Sequence, residues 1–353
     1  MRLLLFLFLL FPFASGFTQT NYELVWADEF DGNGIANSDN WFYQTQIPSG
    51  GSWYNGEIQH YTNRAINANQ SNGTLKIVAK KETFTDQGYT KQYTSARLNS
   101  KVAFTYGRVE VRAKLPIGIG TWPAIWTLGK NIIEPGGYWT DAFGTVNWPA
   151  CGELDIMEHW GANQNFVQSA THTPSSFGGT VNVGGRVVNN VSTSFHIYEM
   201  EWTSEAIQFS VDGIVHYIYN PPIKNPSTWP FDAAQYILLN VAILPDIEPS
   251  FSQSTLEIDY VRLYQDSLLG TAILENPNNL QFSNPIDETL RIEVTQKLTG
   301  SNLTLYDLGG VKLFTGQITQ KQTSINTASF PAGIYLMKID SPFGTVTKKI
   351  LKR

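Results

Sequence analysis

Short runs of alternating or β-branched residues recur throughout residues 22–264 and constrain the fold more than any other feature of the sequence. Successive side chains of a strand point to opposite faces, so such runs predict strands with one buried face. Turn-forming pairs such as Asn72-Gly73 and Asp212-Gly213 separate the runs, and no stretch keeps an apolar period of 3.6 residues. The pattern predicts one large all-β sandwich or barrel, a class that reaches roughly 250 residues as a single domain. The clearest predicted strands are 75–79, 108–113, 207–211, 236–241 and 256–263.

The composition changes after Gln265 and predicts a second, smaller domain. Residues 17–270 carry 14 Lys and Arg against 24 Asp and Glu, whereas residues 271–353 carry 9 against 6 and none of the ten Trp. The polar stretch 275–279 is rich in Asn, which is typical of a linker. We therefore predict a linker over 269–280 and a small β-module over 281–353. Strand-like runs in this module are 290–294, 302–306, 311–314, 333–339 and 345–351.

The first 16 residues have the pattern of a secretory signal peptide. Arg2 provides a positive start, an apolar run follows over 3–13, and small residues at 14–16 suit cleavage. The run is too short for a permanent membrane span. The sequence therefore predicts export, with signal peptide 1–16 followed by a first domain over 17–268.

The composition disfavours several classes of function. The net charge is −6, and the body of the chain has no cluster of Lys and Arg of the kind that nucleic-acid binding needs. Cys151 is the only cysteine, so no intramolecular disulfide can form, and its surroundings predict a small buried apolar residue. The sequence contains neither a CxxC nor an HExxH pattern, so a transition-metal site has no support.

Three acidic residues lie close together in segment 152–161, in a chain that is only 15% charged. On a regular strand Glu153 and Asp155 face one side, and Glu158 faces the other. One extra residue in a β-bulge around Ile156-Met157 returns Glu158 to the face of the other two. The sequence thus predicts three carboxylates in a row on the wall of a cleft.

A row of carboxylates suits glycoside hydrolysis, which needs one ionised and one protonated acid. Crowding raises the pKa of at least one member of such a row. In this hypothesis Glu153 attacks the anomeric carbon, Glu158 protonates the leaving oxygen and then activates water, and Asp155 hydrogen-bonds the nucleophile. A separation of roughly 5–5.5 Å between the two glutamates would give a retaining reaction. The alternatives from spacing alone are a structural calcium site and an exposed acidic strand.

The segment from Glu153 to Glu158 resembles the E-x-D-x-x-E signature of glycoside hydrolase family 16, in the bulged form of its laminarinase-like members. The resemblance implies a curved β-jelly roll of the concanavalin A-like class, with a sugar-binding cleft along its concave face. Further stretches that resemble the family are 24–32, 55–62, 107–116, 122–126, 201–202, 212–213, 229–231 and 259–264.

The same resemblance places polar and aromatic residues at the cleft, where rings stack on the apolar face of a sugar and polar groups bind its hydroxyls. The implied substrate-binding residues are Asn55, Glu57, Arg97, Trp122, Trp126, Trp160 and His172. Alternatives stay open at this stage, because a Trp of a β-sandwich often belongs to the core. Arg97 could equally pair with a surface acid.

Many members of the family bind one structural calcium ion on the convex face. The matching positions are Glu29, Gly73 and Asp259, the first two mainly through backbone oxygens. Hard oxygen ligands suit calcium. The resemblance therefore implies a structural Ca²⁺ and no cofactor for the chemistry itself.

Two stretches depart from the family pattern, and we expect both at the rim of the cleft. Residues 239–242 run into the bulky segment 243–246, where family members commonly carry a Gly-Gly pair. The loop 130–148, before the catalytic strand, is unusually long. Both stretches bear on the shape of the sugar subsites and leave the catalytic assignment unchanged.

Residues 271–353 resemble the C-terminal sorting domain of the type IX secretion system. The matching pieces are 284–285, 305–310, 333–336 and the basic end 348–353. The resemblance implies that the type IX machinery is a partner and that the protein reaches the extracellular space or the cell surface. The alternative is a small carbohydrate-binding or spacer module, but a module with no Trp and two Tyr is poorly equipped to stack on sugars.

The sequence thus predicts a secreted endo-β-1,3-glucanase acting on laminarin, with mixed-linkage β-1,3-1,4-glucan as a second substrate. A hydrolase of a red-algal galactan (agar, porphyran or carrageenan) is an alternative on the same fold, weakly disfavoured because sulfated chains favour a basic cleft. A glucan-recognition protein without activity is an alternative of another class, but such relatives generally lose the glutamates that this chain keeps. We expect a monomer.

Overall fold

The structure, a computed structural model, describes residues 22–266, 280–295, 298–307, 310–341 and 344–353. The predicted signal peptide lies outside the described residues, and so does the predicted linker apart from Leu280. The described residues of 22–266 are called the N-terminal domain, and those of 280–353 the C-terminal domain.

Strands dominate the N-terminal domain, and all five strands predicted for it are confirmed, since each lies within an observed strand. The strands are β1 (Tyr22–Asp28), β2 (Trp41–Tyr43), β3 (His60–Tyr61), β4 (Ala68–Ser71), β5 (Thr74–Asp86), β6 (Tyr89–Ser95), β7 (Arg97–Phe104), β8 (Gly107–Lys114), β9 (Thr121–Gly129), β10 (Glu153–Glu158), β11 (Phe166–His172), β12 (Val183–Val187), β13 (His196–Trp202), β14 (Ile207–Val211), β15 (Ile214–Tyr219), β16 (Gln235–Ile243) and β17 (Gln253–Asp266). Helical structure in residues 22–266 consists of α1 (Thr140–Phe143) and the 3-10 turns Tyr54–Gly56 and Gly161–Asn163. None of the helices in the described ranges is both long and apolar enough to cross a membrane.

Within residues 22–266, the strands form one ten-stranded and one seven-stranded sheet. The larger sheet has the order β15-β14-β13-β8-β17-β5-β6-β3, with β1 also paired to β17 and β4 to β5. The smaller sheet has the order β12-β11-β10-β9-β16-β7-β2. Neighbouring strands are antiparallel except for β3 and β6, which are parallel. The predicted all-β sandwich is confirmed.

The core lies between the two sheets, because alternate side chains of every strand point inward. Leu75 and Val111 of the larger sheet and Leu154 and Ile237 of the smaller sheet are fully buried there. Burying such a side chain contributes about 1.5–3 kcal/mol relative to leaving it exposed. Polar residues of the opposite parity are therefore left on the outer face of the smaller sheet.

The segment 130–148 covers one end of that outer face. All nine residues of β16 are buried, and its outward Tyr236 and Leu238 pack with Trp139 and Cys151 in a second apolar cluster. Cys151 is thus a small buried apolar residue, as predicted, and burial raises the pKa of its thiol to about 12. The outer face continues beyond this cover as a cleft.

The C-terminal domain is a β-module with its own core, which includes the buried Leu290, Leu305 and Met337. Its strands are β18 (Leu280–Phe282), β19 (Thr289–Val294), β20 (Asn302–Asp307), β21 (Lys312–Gln317), β22 (Gln322–Asn326), β23 (Gly333–Ser341) and β24 (Gly344–Lys352). They form the sheets β18-β19-β22 and β21-β20-β23-β24. The five predicted strands are found, although Val311 precedes β21. Strands β18 and β22 were not predicted, because β18 is very short and β22 has a single apolar residue, Ile325.

Candidate active site

Strand β10 contains the bulge that the sequence predicts around Ile156-Met157. In its pairing with β9, Asp155 lies opposite Trp126 but Met157 lies opposite Ile125, so one extra residue stands between them. The pairing with β11 shifts in the same place. The bulge is therefore confirmed, and it reverses the parity of the residues that follow it.

Because of the bulge, the acidic side chains share the outer face of the smaller sheet. The apolar residues of β10 that are buried in the core are Leu154, Ile156 and Met157. Glu153, Asp155 and Glu158 instead line one cavity of about 250 Å³. Trp122 and Trp126 of the neighbouring β9 line the same cavity. The predicted row of three carboxylates at the wall of a cleft is confirmed.

Glu153 is held by groups from two different elements. The indole Nε1 of Trp148 donates a hydrogen bond to its Oε2 at 2.9 Å. His172 lies directly opposite Glu153 in the β10–β11 ladder, and its Nε2 is 3.5 Å from Glu153 Oε1 and 3.2 Å from Asp155 Oδ2. The imidazole is thus placed between the first two acids of the row.

Glu158 has a separate set of partners. Trp122 Nε1 donates to its Oε1 at 3.2 Å, and Gln168 Nε2 donates to its Oε2 at 3.5 Å. Trp122 itself stacks on Trp160, with ring centroids 5.7 Å apart and planes inclined by 21°. The two glutamates therefore lie in different surroundings on the same strand.

Burial raises the pKa of all three carboxyls, because the cleft takes each charge out of water. For Glu158 the pKa rises to about 8, with the nearby charge of Asp155 as the second cause. Asp155 also raises the pKa of Glu153, again as the second cause after burial. The predicted effect of crowding is present, but burial is the larger cause. At neutral pH the row therefore holds fewer than three negative charges.

Both glutamates of the row have neighbours that favour their ionised forms. Glu153 accepts the Trp148 hydrogen bond, Glu158 accepts those of Trp122 and Gln168, and His172 partly offsets the rise in pKa that burial causes at both. Within the described residues Asp155 Oδ2 has no hydrogen-bond donor, although His172 Nε2 lies 3.2 Å away. These contacts are alike for the two glutamates, so the roles of Glu153 as nucleophile and Glu158 as acid stay predictions.

Arg97 lies at the far side of the cleft in a buried polar network. Its Nη2 is 2.6 Å from Glu134 Oε1, and its Nε donates to Gln44 Oε1 at 3.0 Å. Its guanidinium also lies 4.8 Å from the ring centre of Trp126. The alternative of a pair with a surface acid is wrong, because both Arg97 and Glu134 are buried. The other carboxylate oxygen of Glu134 has no partner in the described part of the chain.

A second polar network reaches the cleft from the loop before β3. Glu57 accepts hydrogen bonds from Gln59 and from Tyr61, each at 2.7 Å. Asn240 donates to the Tyr61 hydroxyl at 3.1 Å and accepts from Trp126 Nε1 at 2.7 Å. These bonds hold polar atoms at fixed positions along the floor of the cavity.

The structure brings most of the predicted substrate-binding residues together. Asn55, Glu57, Arg97, Trp122 and Trp126 line the cavity that holds the three acids. Trp160 stacks on Trp122, and His172 contacts Glu153 and Asp155, so both adjoin the lining.

Several residues of the site were not predicted from the sequence. Those that bond to the predicted site residues include Glu134, Trp148, Gln168 and Asn240. Glu134 and Trp148 belong to the loop 130–148, whose predicted place at the cleft is confirmed. Gln168 and Asn240 lie on strands at positions with the parity of the outer face, so strand alternation was a signal that could have found them.

Two groups of described residues are relevant to metal binding. Glu153, Asp155 and His172 offer ligand atoms within 4.8 Å of one another and could hold a cation. The predicted calcium positions are also neighbours: β1 and β5 pair with the same edge of β17, so Glu29 and Gly73 flank Asp259. Calcium at these positions stays a prediction.

The carboxylates of the predicted calcium site already have cationic partners. Glu29 accepts two hydrogen bonds from Arg262, at 2.8 and 2.9 Å. Asp259 pairs with Arg112 at 2.5 Å. Backbone oxygens, which the prediction assigns to Glu29 and Gly73, therefore fit a calcium ion better than the Glu29 carboxylate does.

Comparisons with known proteins agree with this geometry. The family model described as glycosyl hydrolases family 16 matches residues 55–262. A β-glucanase of Rhodothermus marinus is 38% identical, over 69% of this chain and 86% of the relative. A glucan endo-1,3-β-glucosidase of Cryptopygus antarcticus is 31% identical, over 70% of this chain and 93% of the relative. The crystal structure of a Glu-to-Ser variant of LamA from Z. galactanivorans, in complex with laminaritriose and laminaritetraose, is 45% identical, with a TM-score of 0.65, over 70% of this chain and 100% of that chain.

A second family model, described as a secretion system C-terminal sorting domain, matches residues 282–353. The resemblance of the tail is thus confirmed, and the domain directs the protein to the extracellular space or the cell surface. The first match covers more than half of the chain and includes the bulged acidic strand. The chain belongs to family 16 of the glycosyl hydrolases.

Proposed function

We propose that this protein is a secreted, monomeric endo-β-glucanase that hydrolyses β-1,3-glucan such as laminarin, with mixed-linkage β-1,3-1,4-glucan as a second substrate. The observation that carries the proposal is the row of Glu153, Asp155 and Glu158 on a bulged strand, inside a cavity walled by Trp122 and Trp126. The printed names of the relatives, a β-glucanase and an endo-1,3-β-glucosidase, support the substrate class.

The row performs a retaining double displacement in two balanced steps. In the first, a Glu153 oxygen bonds to the anomeric carbon while the glycosidic C–O bond breaks, and the Glu158 proton passes to the leaving oxygen. In the second, water gives a proton to Glu158 and bonds to the anomeric carbon, which releases the Glu153 carboxylate. Asp155 lies between the two and tunes the charge of Glu153, and His172 orients the first two acids.

The polar networks of the cleft supply groups that bind sugar hydroxyls. The cavity is lined by Asn55, Glu57 and Arg97. Glu57 is held there by its hydrogen bond from Gln59, Arg97 by its ion pair with Glu134, and Asn55 by its place in a 3-10 turn. Trp122, backed by Trp160, and Trp126 offer ring faces to the sugar.

Incubation of the full mature chain with laminarin, lichenan, agarose and carrageenan tests the proposal. New reducing ends and glucose oligomers are expected from laminarin, and fewer from lichenan. Cleavage of agarose or carrageenan alone would keep the chemistry but overturn the substrate. Laminarin binding with no cleavage of any polymer would indicate a recognition protein.

We also propose that Glu29, Gly73 and Asp259 hold one structural Ca²⁺ at the edge of β17. Saturation at about 100 times the dissociation constant would stabilise the fold by about 2.7 kcal/mol. For a domain of this size that corresponds to a rise in Tm of roughly 5–10 °C over the chelated protein. Thermal unfolding in EDTA, Mg²⁺ and Ca²⁺ measures this rise. The Ca²⁺ increment should vanish in Asp259→Asn, and an absent increment in the wild type would refute the site.

A further inference from the structure

A chain of two hydrogen bonds connects the catalytic bulge to the opposite sheet. Ser169 of β11 lies opposite the bulge, between the pairs Asp155–Ala170 and Glu158–Gln168. Its hydroxyl donates to the carbonyl oxygen of Ile156 at 2.8 Å. The same hydroxyl oxygen lies 2.9 Å from Nε2 of His216, on β15 of the larger sheet.

The directions of these bonds follow from the atoms involved. A serine hydroxyl has one hydrogen, and the carbonyl of Ile156 can only accept, so that hydrogen goes to Ile156. The hydroxyl oxygen of Ser169 is then an acceptor, and Nε2 of His216 must be the donor. Burial lowers the pKa of His216 to about 4, with Arg186 as the second cause, so the imidazole is neutral and keeps a single N–H.

His216 is aimed at the bulge by an irregularity of its own strand. In the β14–β15 ladder, Phe209 lies opposite Tyr217 and Ser210 opposite Val215, which leaves His216 as the extra residue. Bulges re-aim side chains and are frequent beside active sites. Two bulges, one in each sheet, are thus joined through Ser169.

We propose that Ser169 and His216 are positioning residues that hold the Ile156 carbonyl and thereby keep Glu158 on the cleft face of β10. The extra residue of a bulge is left unpaired by the neighbouring strand. The hydrogen bond from the Ser169 side chain therefore replaces the backbone hydrogen bond that the β-ladder does not make there. If the bulge relaxed by one residue, the side chain of Glu158 would turn toward the core. The inference rests on the proposed role of Glu158 as the acid that protonates the leaving group.

Ser169→Ala removes the bond without adding bulk, and we expect a selective loss of acid catalysis. A misplacement of about 1 Å can cost 10²-fold in rate. We therefore expect kcat on laminarin, or on whichever polymer the wild type cleaves, to fall roughly 10- to 100-fold, with KM nearly unchanged. The burst of dinitrophenolate from the matching 2,4-dinitrophenyl disaccharide glycoside should stay as in the wild type, because that leaving group needs no proton.

Ser254→Ala is the matched control. Ser254 is also a buried strand serine, on β17 of the larger sheet, and its hydroxyl oxygen accepts a hydrogen bond from the backbone N–H of Ile117 at 2.8 Å. It should lower Tm without changing the ratio of the polymer kcat to the rate of the dinitrophenolate burst. His216→Leu should lower the ratio of the polymer kcat to the burst rate as Ser169→Ala does. The double variant should show no further fall, since both substitutions break the same chain of hydrogen bonds. His216→Gln, which keeps an N–H donor, should restore part of the ratio.

If the ratio of the polymer kcat to the burst rate is unchanged in Ser169→Ala, or if both fall equally, the inference is overturned. If Ser169→Ala does not fold, His216→Leu at a half-buried edge-strand position carries the same test. Failure of the proposed function is separately visible, because it shows in the wild type alone as inactivity on every polymer.

Discussion

Replacing Glu153 by glutamine is expected to lower the hydrolysis of laminarin by about 10⁴-fold or more, because an amide cannot form the glycosyl ester. Glutamine keeps the shape of the side chain and the carbonyl oxygen that accepts the Trp148 hydrogen bond. Laminarin binding should therefore persist. Reducing-end assays and calorimetric titration with laminarin oligomers measure the two effects.

The control for this variant is Glu205→Gln, an identical change at an exposed turn on the other sheet. It should retain the activity of the wild type. Activity of Glu153→Gln within tenfold of the wild type would remove Glu153 from the nucleophile position. Loss of both binding and activity would instead indicate a damaged cleft.

Glu158→Gln is expected to slow laminarin hydrolysis by about 10²–10⁴-fold, the usual contribution of general acid–base catalysis. Glu158 must be protonated to donate its proton to the leaving oxygen, and burial raises its pKa to about 8. Activity of the wild type should therefore fall as the pH rises through about 8, because the proton is lost there. This alkaline limb should disappear in Glu158→Gln.

The pH profile of kcat/KM on laminarin between pH 5 and 10 measures the limb, with thermal stability as the control. At pH 9 the variant should be at least as stable as the wild type, because the folded state no longer holds that buried charge. An alkaline limb of unchanged position in Glu158→Gln would assign it to another group.

The acid row could be predicted from the sequence because its logic is local. Glu153, Asp155 and Glu158 lie on one strand, and alternation alone shows that a single extra residue brings them to one face. In the structure the extra residue lies between Asp155 and Met157, as alternation predicts, and the apolar neighbours of the acids are buried in the core. What local reasoning missed is the dominance of burial over crowding in raising each pKa, since burial depends on the walls of the cleft.

Partners from distant segments were out of reach for a physical reason. Glu134 pairs with Arg97 across 37 residues of sequence, in a loop without any strand or helix period. Its position depends on how Trp139 packs against β16, which no local pattern encodes. Strand β22 also depends on a distant partner. Its sequence has one apolar residue and does not predict a strand, but its pairing with β19 stabilises one.

The anomeric configuration of the first product tests the central claim most directly. Proton nuclear magnetic resonance, recorded within the first minutes of laminarin hydrolysis by the full mature chain, distinguishes the two possible outcomes. Glu153 as nucleophile and Glu158 as acid and base predict new β-configured reducing ends, with the α-anomer rising only later by mutarotation. New reducing ends that are α-configured from the start would contradict a double displacement and, with it, the roles assigned to the row on β10.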